Sequence, residues 1–137
     1  MCRKTKEELD FLLKDLPEEP AGLLHFMKPG GFYGLIGWEI KKGEMLSHRA
    51  VDHENGEVFH TRFSANSEVD WHDHNASREY ILCLEGNLNL IFEDGSQVTL
   101  SPAEDITIQK GVKHMASIGN KPCQIVAITI PKEKYER

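Results

Sequence analysis

Residues 71–86 of the chain read WHDHNASREYILCLEG, and a second short stretch, residues 109–114, reads QKGVKH. Between them they contain three imidazoles and one carboxylate, on His72, His74, Glu79 and His114. Imidazole nitrogen and carboxylate oxygen are donors for divalent first-row metals. These four residues are therefore the candidate ligands of one metal ion, provided that the fold brings them together.

Strand geometry indicates how the four side chains can converge. Side chains alternate between the two faces of an extended strand, so His72 and His74 are expected to share one face. Glu79 begins the next apolar run after a short turn, and it can approach both histidines if the two runs form adjacent strands. His114 belongs to a run distant in sequence, and closure of a β-barrel brings such strands together.

The donor types also restrict the choice of ion. Imidazole suits Fe, Mn, Co, Ni, Cu and Zn, and a single carboxylate favours harder ions of higher coordination number. Four protein ligands on an octahedral ion leave positions for water, substrate or dioxygen, and an open position distinguishes a reactive site from a structural one. The expected cofactor is a divalent metal ion, with Fe(II) or Mn(II) favoured and Ni or Zn as alternatives.

From residue 38 onward the chain is predicted to be all-β. Short apolar or alternating runs recur with turn residues between them, and Asp94-Gly95 is typical of a hairpin turn. The ten predicted strands are 38–40, 45–50, 58–64, 71–74, 80–84, 88–92, 97–100, 105–108, 114–118 and 124–130. Short strands at this rhythm indicate an antiparallel sandwich or barrel.

The first 37 residues follow a different pattern. Thr5 and Glu8 form a capping box, and Pro17 ends an amphipathic helix whose apolar residues recur at helical spacing: Leu9, Leu12, Leu13 and Leu16. A lead-in rich in Pro and Gly follows, with one short extended or helical piece around residues 23–27. The predicted division is 1–37 for the N-terminal helix and lead-in, 38–131 for the β-barrel and 132–137 for a short tail.

Composition argues against several classes of function. A chain of 137 residues fits one domain, and a net charge of −6 argues against binding to nucleic acid or anionic lipid. The longest apolar runs are about eight residues, whereas a membrane-spanning helix needs roughly 20. The cysteines are odd in number and form no CxxC pair (Cys2, Cys83 and Cys123), which predicts a cytoplasmic protein without a disulfide framework.

The first motif resembles that of the cupin superfamily. The family pattern runs glycine, five residues, His-x-His, three or four residues, Glu, six residues, glycine. His72, His74, Glu79 and Gly86 fit this pattern, and Asn66 stands in place of the opening glycine. Asparagine can also adopt turn conformations.

The second cupin motif is matched less completely. Gly95, Gly111 and His114 fit it, although the gap after Gly95 is longer than usual. Gln109 replaces the proline of the family pattern, and Ile118 replaces its asparagine. These departures concern turns and packing more than ligation.

The resemblance covers roughly residues 58–130 and implies an antiparallel double-stranded β-helix, or jelly-roll barrel, with a metal at its centre and often a homodimer. Members of the superfamily include enzymes of several classes and non-enzymatic binding proteins, so the fold does not name the reaction. The favoured prediction is a dioxygenase-like oxidoreductase that acts on a small organic substrate. The alternatives are a small-molecule-binding or sensing cupin and an oxygen-independent isomerase, lyase or decarboxylase.

Further residues are candidates for contact with a substrate. Ile81 and Cys83 alternate onto the face of Glu79 and are expected to line the interior, where Cys83 is more simply explained as a small buried apolar residue. His60 and Arg62 share a face, and they could bind an anionic substrate if that face is the interior. The alternative is that both are exposed.

Three other predictions concern the surroundings of the metal. Asp70 lies two residues before His72 and is expected to accept a hydrogen bond from an imidazole N–H. Trp71 alternates to the opposite face and is expected to pack. The remaining histidines lie outside both motifs and are not expected to contribute: His25, His48 and His53.

Overall fold

The computed structural model describes residues 24–27, 29, 40–74 and 76–131, which form eleven strands and no helix. The strands are β1 (Leu24–Met27), β2 (Ile40–Lys42), β3 (Met45–His53), β4 (Gly56–Phe63), β5 (Glu68–His72), β6 (Arg78–Glu85), β7 (Leu88–Phe92), β8 (Gln97–Leu100), β9 (Asp105–Ile108), β10 (His114–Ile118) and β11 (Cys123–Ile130). The all-β prediction is confirmed for these residues, and the piece around 23–27 is a strand. The predicted N-terminal helix lies outside the described residues. Within them, no helix is long and apolar enough to cross a membrane.

The strands form two antiparallel sheets. The six-stranded sheet has the order β1-β3-β4-β11-β6-β9, and the five-stranded sheet has the order β2-β5-β10-β7-β8. The consecutive strands β5 and β6 therefore belong to different sheets, and the chain crosses from one sheet to the other between His72 and Arg78. The runs that carry His72 and Glu79 are therefore not adjacent strands, and Glu79 approaches the histidines from the opposite sheet.

The core lies between the two sheets and takes side chains from both. On β11 every second residue is buried, as strand alternation requires, and the buried residues of β6 are Ile81 and Cys83. The facing sheet contributes apolar residues in the same way from β7 and β10. The buried set includes Ile81, Cys83, Ile125 and Ala127 from the six-stranded sheet and Leu88, Leu90, Ala116 and Ile118 from the other. These residues define the interior face of each sheet.

Two turn positions of the family pattern have backbones that explain their residue types. Gly86 has φ +73°, and a Cβ there would lie 2.3 Å from the carbonyl oxygen of Pro122. Only glycine fits both constraints. Asn66, which replaces the opening glycine, has φ 61°, a left-handed conformation that asparagine tolerates better than most residues. The substitution at the start of the first motif therefore keeps the turn.

Candidate metal centre

The four predicted ligands converge at one point in the barrel. One donor atom from each of His72, His74, Glu79 and His114 lies within 4.8 Å of every other. His114 is buried, while the other three side chains are partly exposed. The structure therefore contains a His/Glu cluster able to hold a metal ion.

His72 faces the interior because β5 contains a β-bulge. Val69 is opposite Ala116 and His72 is opposite His114, so three steps along β5 match two steps along β10. The extra residue lets Val69 and His72 face the same side, although an odd spacing would otherwise put them on opposite faces. The strand predicted over 71–74 therefore lies earlier in the chain than expected, since β5 ends at His72.

His74 reaches the cluster from beyond the end of β5. Its backbone carbonyl accepts a hydrogen bond of 3.0 Å from the N–H of Gly111. Gly111 has φ +79°, and it belongs to the loop that leads into His114. This contact between two loops holds His74 near His114, although His74 lies beyond the end of β5 and shares no strand with His72.

Backbone carbonyls fix two of the imidazole rings. His72 Nδ1 lies 2.8 Å from the carbonyl oxygen of Asp70, and His114 Nδ1 lies 2.8 Å from that of Val112. A carbonyl can only accept, so Nδ1 carries the hydrogen and the lone pair lies on Nε2, the tautomer in which Nε2 can ligate a metal. The prediction that Asp70 accepts from an imidazole is confirmed, but through its backbone. Its carboxylate accepts from the N–H of Trp71 at 2.9 Å.

The cluster is set electrostatically for metal binding. Glu79 Oε2 lies 3.4 Å from His74 Nε2, and Glu79 Oε1 lies 3.5 Å from His114 Nε2. Burial disfavours the charged carboxylate, but the neighbouring imidazoles outweigh burial and hold the pKa of Glu79 below its ordinary value. Burial, aided by the nearby His114, lowers the pKa of His72 to about 4. At neutral pH Glu79 is thus charged and His72 neutral, which are the forms that ligate metals.

Ile81 and Cys83 both lie on the interior face, at different distances from the cluster. Ile81 is two residues from Glu79, and Cys83 is four residues away, about 13 Å along an extended strand. Cys83 is fully buried, and burial raises its pKa. The same cause raises the pKa of its neighbour Cys123 to about 12. Ile81 borders the cluster, whereas Cys83 is a core residue remote from it.

His60 and Arg62 do not line the interior. Their neighbours on β4, Thr61 and Phe63, are the buried residues, so His60 and Arg62 point to the outer face of the six-stranded sheet. His60 Nε2 lies 3.1 Å from the side-chain oxygen of Gln124. The expectation that this pair binds substrate inside the barrel is therefore wrong.

Trp71 is 40% exposed, so it faces away from His72 as predicted, with a large part of its side chain at the surface.

Sequence reasoning missed a group of polar residues on the interior face. Arg49 Nη1 donates to Glu57 Oε2 at 3.1 Å, and both side chains are buried. Arg49 Nη2 also lies 3.4 Å from Asp52 Oδ2. Thr129 is buried on the same face of the sheet. Glu57 has the same strand phase as the buried Phe63, but the sequence alone does not show which face of β4 is buried.

Solved structures of the same fold come from several bacteria. KdgF from Halomonas sp. is 14% identical, over 69% of this chain and 86% of that chain, with a TM-score of 0.61. The polyketide cyclase RemF from Streptomyces resistomycificus is 20% identical, over 65% and 66%, with a TM-score of 0.59. A cupin-2 domain containing protein from Shewanella frigidimarina is 25% identical, over 61% and 78%, with a TM-score of 0.54.

No curated protein matches the sequence. The model of the cupin domain family, however, matches residues 59–129, which is more than half of the chain. The matched region contains all four residues of the His/Glu cluster and ends on β11. With two antiparallel sheets around that cluster, the chain belongs to the cupin domain family.

Proposed function

We propose that this protein is a metal-dependent cupin that acts on a small organic substrate, as a dioxygenase-like oxidoreductase, at a centre formed by His72, His74, Glu79 and His114. One observation carries the proposal: the four donor atoms lie within 4.8 Å of one another while three of the side chains remain partly exposed. Three imidazoles and one carboxylate fit a divalent ion such as Fe(II) or Mn(II). Four protein ligands also leave room for a substrate beside them.

A divalent ion held here would supply a Lewis acid with coordination positions that the protein does not fill. The chain itself fixes the donors and shapes their surroundings. The Phe92 ring lies 6.1 Å from the His114 ring, centroid to centroid, and Ile108 is opposite Glu79 on the neighbouring strand. Apolar side chains beside the cluster favour a substrate with an apolar portion.

The test begins with the metal content of the protein purified from its own host, measured by elemental analysis. Oxygen uptake is then recorded against a panel of small carboxylic acids and phenols. We expect iron or manganese and substrate-dependent uptake. Glu79→Ala should lose both the metal and the activity, while the outer-face variant His60→Ala should keep both.

The other outcomes separate the alternatives. Turnover without oxygen consumption would replace the dioxygenase with an isomerase, lyase or decarboxylase. A tightly held organic ligand without turnover would favour a binding or sensing protein. If Glu79→Ala retained its full metal content, the metal centre itself would be refuted.

A further inference from the structure

Thr129 presents a buried hydroxyl that the fold does not satisfy. Its side chain shares the interior face of β11 with Ile125 and Ala127, and the residue is 3% exposed. Its Oγ1 has no hydrogen-bond partner among the residues that the structure describes. Buried polar atoms are nearly always hydrogen-bonded, so an exception of this kind needs an explanation.

The register places Thr129 between two carboxylates. It lies directly opposite Glu79 on β6 and directly opposite Glu57 on β4. Residues opposite each other in an antiparallel pair have Cβ atoms about 4.5–5.5 Å apart. A hydroxyl on Thr129 can therefore reach either carboxylate by a change of side-chain rotamer. It carries a single hydrogen, so it can donate to only one of them.

Glu57 already has a donor. Its Oε2 accepts from Arg49 Nη1 at 3.1 Å, and the two side chains are buried together as an ion pair. A hydrogen bond from Thr129 would add little to a carboxylate that a guanidinium already neutralises.

Glu79 is in the opposite situation. The two imidazole nitrogens near it lie at 3.4 and 3.5 Å, beyond the usual range of N–H···O hydrogen bonds. In the neutral ring, His114 carries its hydrogen on Nδ1, which donates to Val112, so Nε2 offers Glu79 no proton. A carboxylate that ligates a metal needs a donor to fix its orientation.

We propose that Thr129 is a positioning residue of the metal centre, whose hydroxyl donates a hydrogen bond to Glu79 and orients that carboxylate toward the metal. This inference rests on the metal centre proposed above. Neutralisation of Glu57 by Arg49 leaves the Thr129 hydrogen for Glu79. Arg49, Glu57, Thr129 and Glu79 then form one polar row across the interior face, ending at the metal.

The test compares Thr129→Val, which removes the hydroxyl at nearly constant shape, with Thr129→Ser, which keeps it. Co(II) alone is titrated into the metal-free full-length protein against a competing chelator, and the visible spectrum reports its coordination. We expect Thr129→Val to bind Co(II) about 10–100-fold more weakly, as for other groups that orient a ligand. Thr129→Ser should stay close to the wild type, and so should the control Thr107→Val, whose side chain is exposed on β9.

A second measurement separates positioning from a structural role. The metal-free Thr129→Val variant should unfold at a urea concentration no lower than the wild type, because the Thr129 hydroxyl has no partner among the described residues and its bond to Glu79 is proposed for the metal-loaded centre. Equal Co(II) affinity of Thr129→Val and wild type would overturn the inference, as would equal weakening in Thr129→Ser. If the wild type itself bound no Co(II), the metal centre would be refuted first, and this inference with it.

Discussion

His114 lies directly opposite His72 in the antiparallel pairing of β10 with β5, and the centroids of their rings are 4.3 Å apart. Two donors therefore come from one backbone ladder, each fixed by a carbonyl of its own strand or loop. We expect His114→Gln to lower metal affinity at least about 100-fold, because losing a ligand exceeds losing a group that orients one. Chelator competition with Co(II) measures this loss.

The matched control for His114→Gln is His60→Gln, on the outer face of the other sheet. It should bind Co(II) as tightly as the wild type. Both variants should keep the far-ultraviolet circular dichroism of a β protein. Unchanged affinity in His114→Gln would remove that residue from the ligand set.

The lowered pKa of His72 predicts how the stability of the metal-free protein depends on pH. Its folded-state pKa of about 4 lies below the ordinary 6.5, so the unfolded chain binds more protons between these values. The contribution of His72 to the free energy of unfolding is then fully present above pH 6.5, and it is lost as the pH falls toward 4. Between pH 7 and pH 5 this group alone should cost about 2 kcal/mol.

Urea unfolding at pH 7 and pH 5 checks that loss, with His72→Gln as the reference. The variant cannot take up this proton, so its free energy of unfolding should change less between the two pH values. Glu79 does not interfere, because its pKa is held below its ordinary value and it stays charged in this window. The same pH dependence in both proteins would contradict the prediction.

The buried ion pair of Arg49 and Glu57 should be sensitive to the loss of one partner. We expect Glu57→Gln to lower the free energy of unfolding by about 3 kcal/mol, because a buried cation loses its main counter-charge. The double variant Arg49→Met with Glu57→Leu should recover most of that stability. Glu93→Gln, at an exposed turn, is the control and should change stability by less than about 0.5 kcal/mol. A small effect of Glu57→Gln in urea unfolding would mean that the pair contributes little.

Two glycines with similar backbone angles make a matched pair of variants. Gly95 has φ +88° with nothing within 4 Å of an added Cβ, so Gly95→Ala should cost only the left-handed conformation, about 1–2 kcal/mol. Gly86 has φ +73°, and its Cβ would meet the carbonyl of Pro122 at 2.3 Å. Gly86→Ala should therefore lower the thermal midpoint clearly more than Gly95→Ala. Equal losses would show that the turn at Gly86 relaxes without cost.

The identity of the candidate ligands could be predicted from the sequence, but their placement could not. Residue type and spacing single out His72, His74, Glu79 and His114. The bulge in β5 was hidden, because an odd spacing between Val69 and His72 looks like the end of one strand and the start of another. Only pairing with β10 shows that both face inward.

The pattern of apolar residues in the sequence could not predict which polar residues lie in the interior. On β4 both strand faces carry apolar side chains, Val58 on one and Phe63 on the other, so alternation does not decide whether His60 or Glu57 points inward. Pairing with β11 decides it, because Cys123, buried on the interior face, lies opposite Phe63. Long-range register, not local sequence, thus separates the buried Glu57 from the outward His60.

The passage of the chain from one sheet to the other lies between two candidate ligands, His72 at the end of β5 and Glu79 at the start of β6, with His74 between them. An ion bound there would join the ends of this short connection and close it into a ring. Without the ion, the connection could open while both sheets stay intact, since the described residues between His72 and Arg78 lie outside both sheets. Loss of metal would then be detected as local proteolysis or faster amide hydrogen exchange between His72 and Glu79, long before the barrel unfolds.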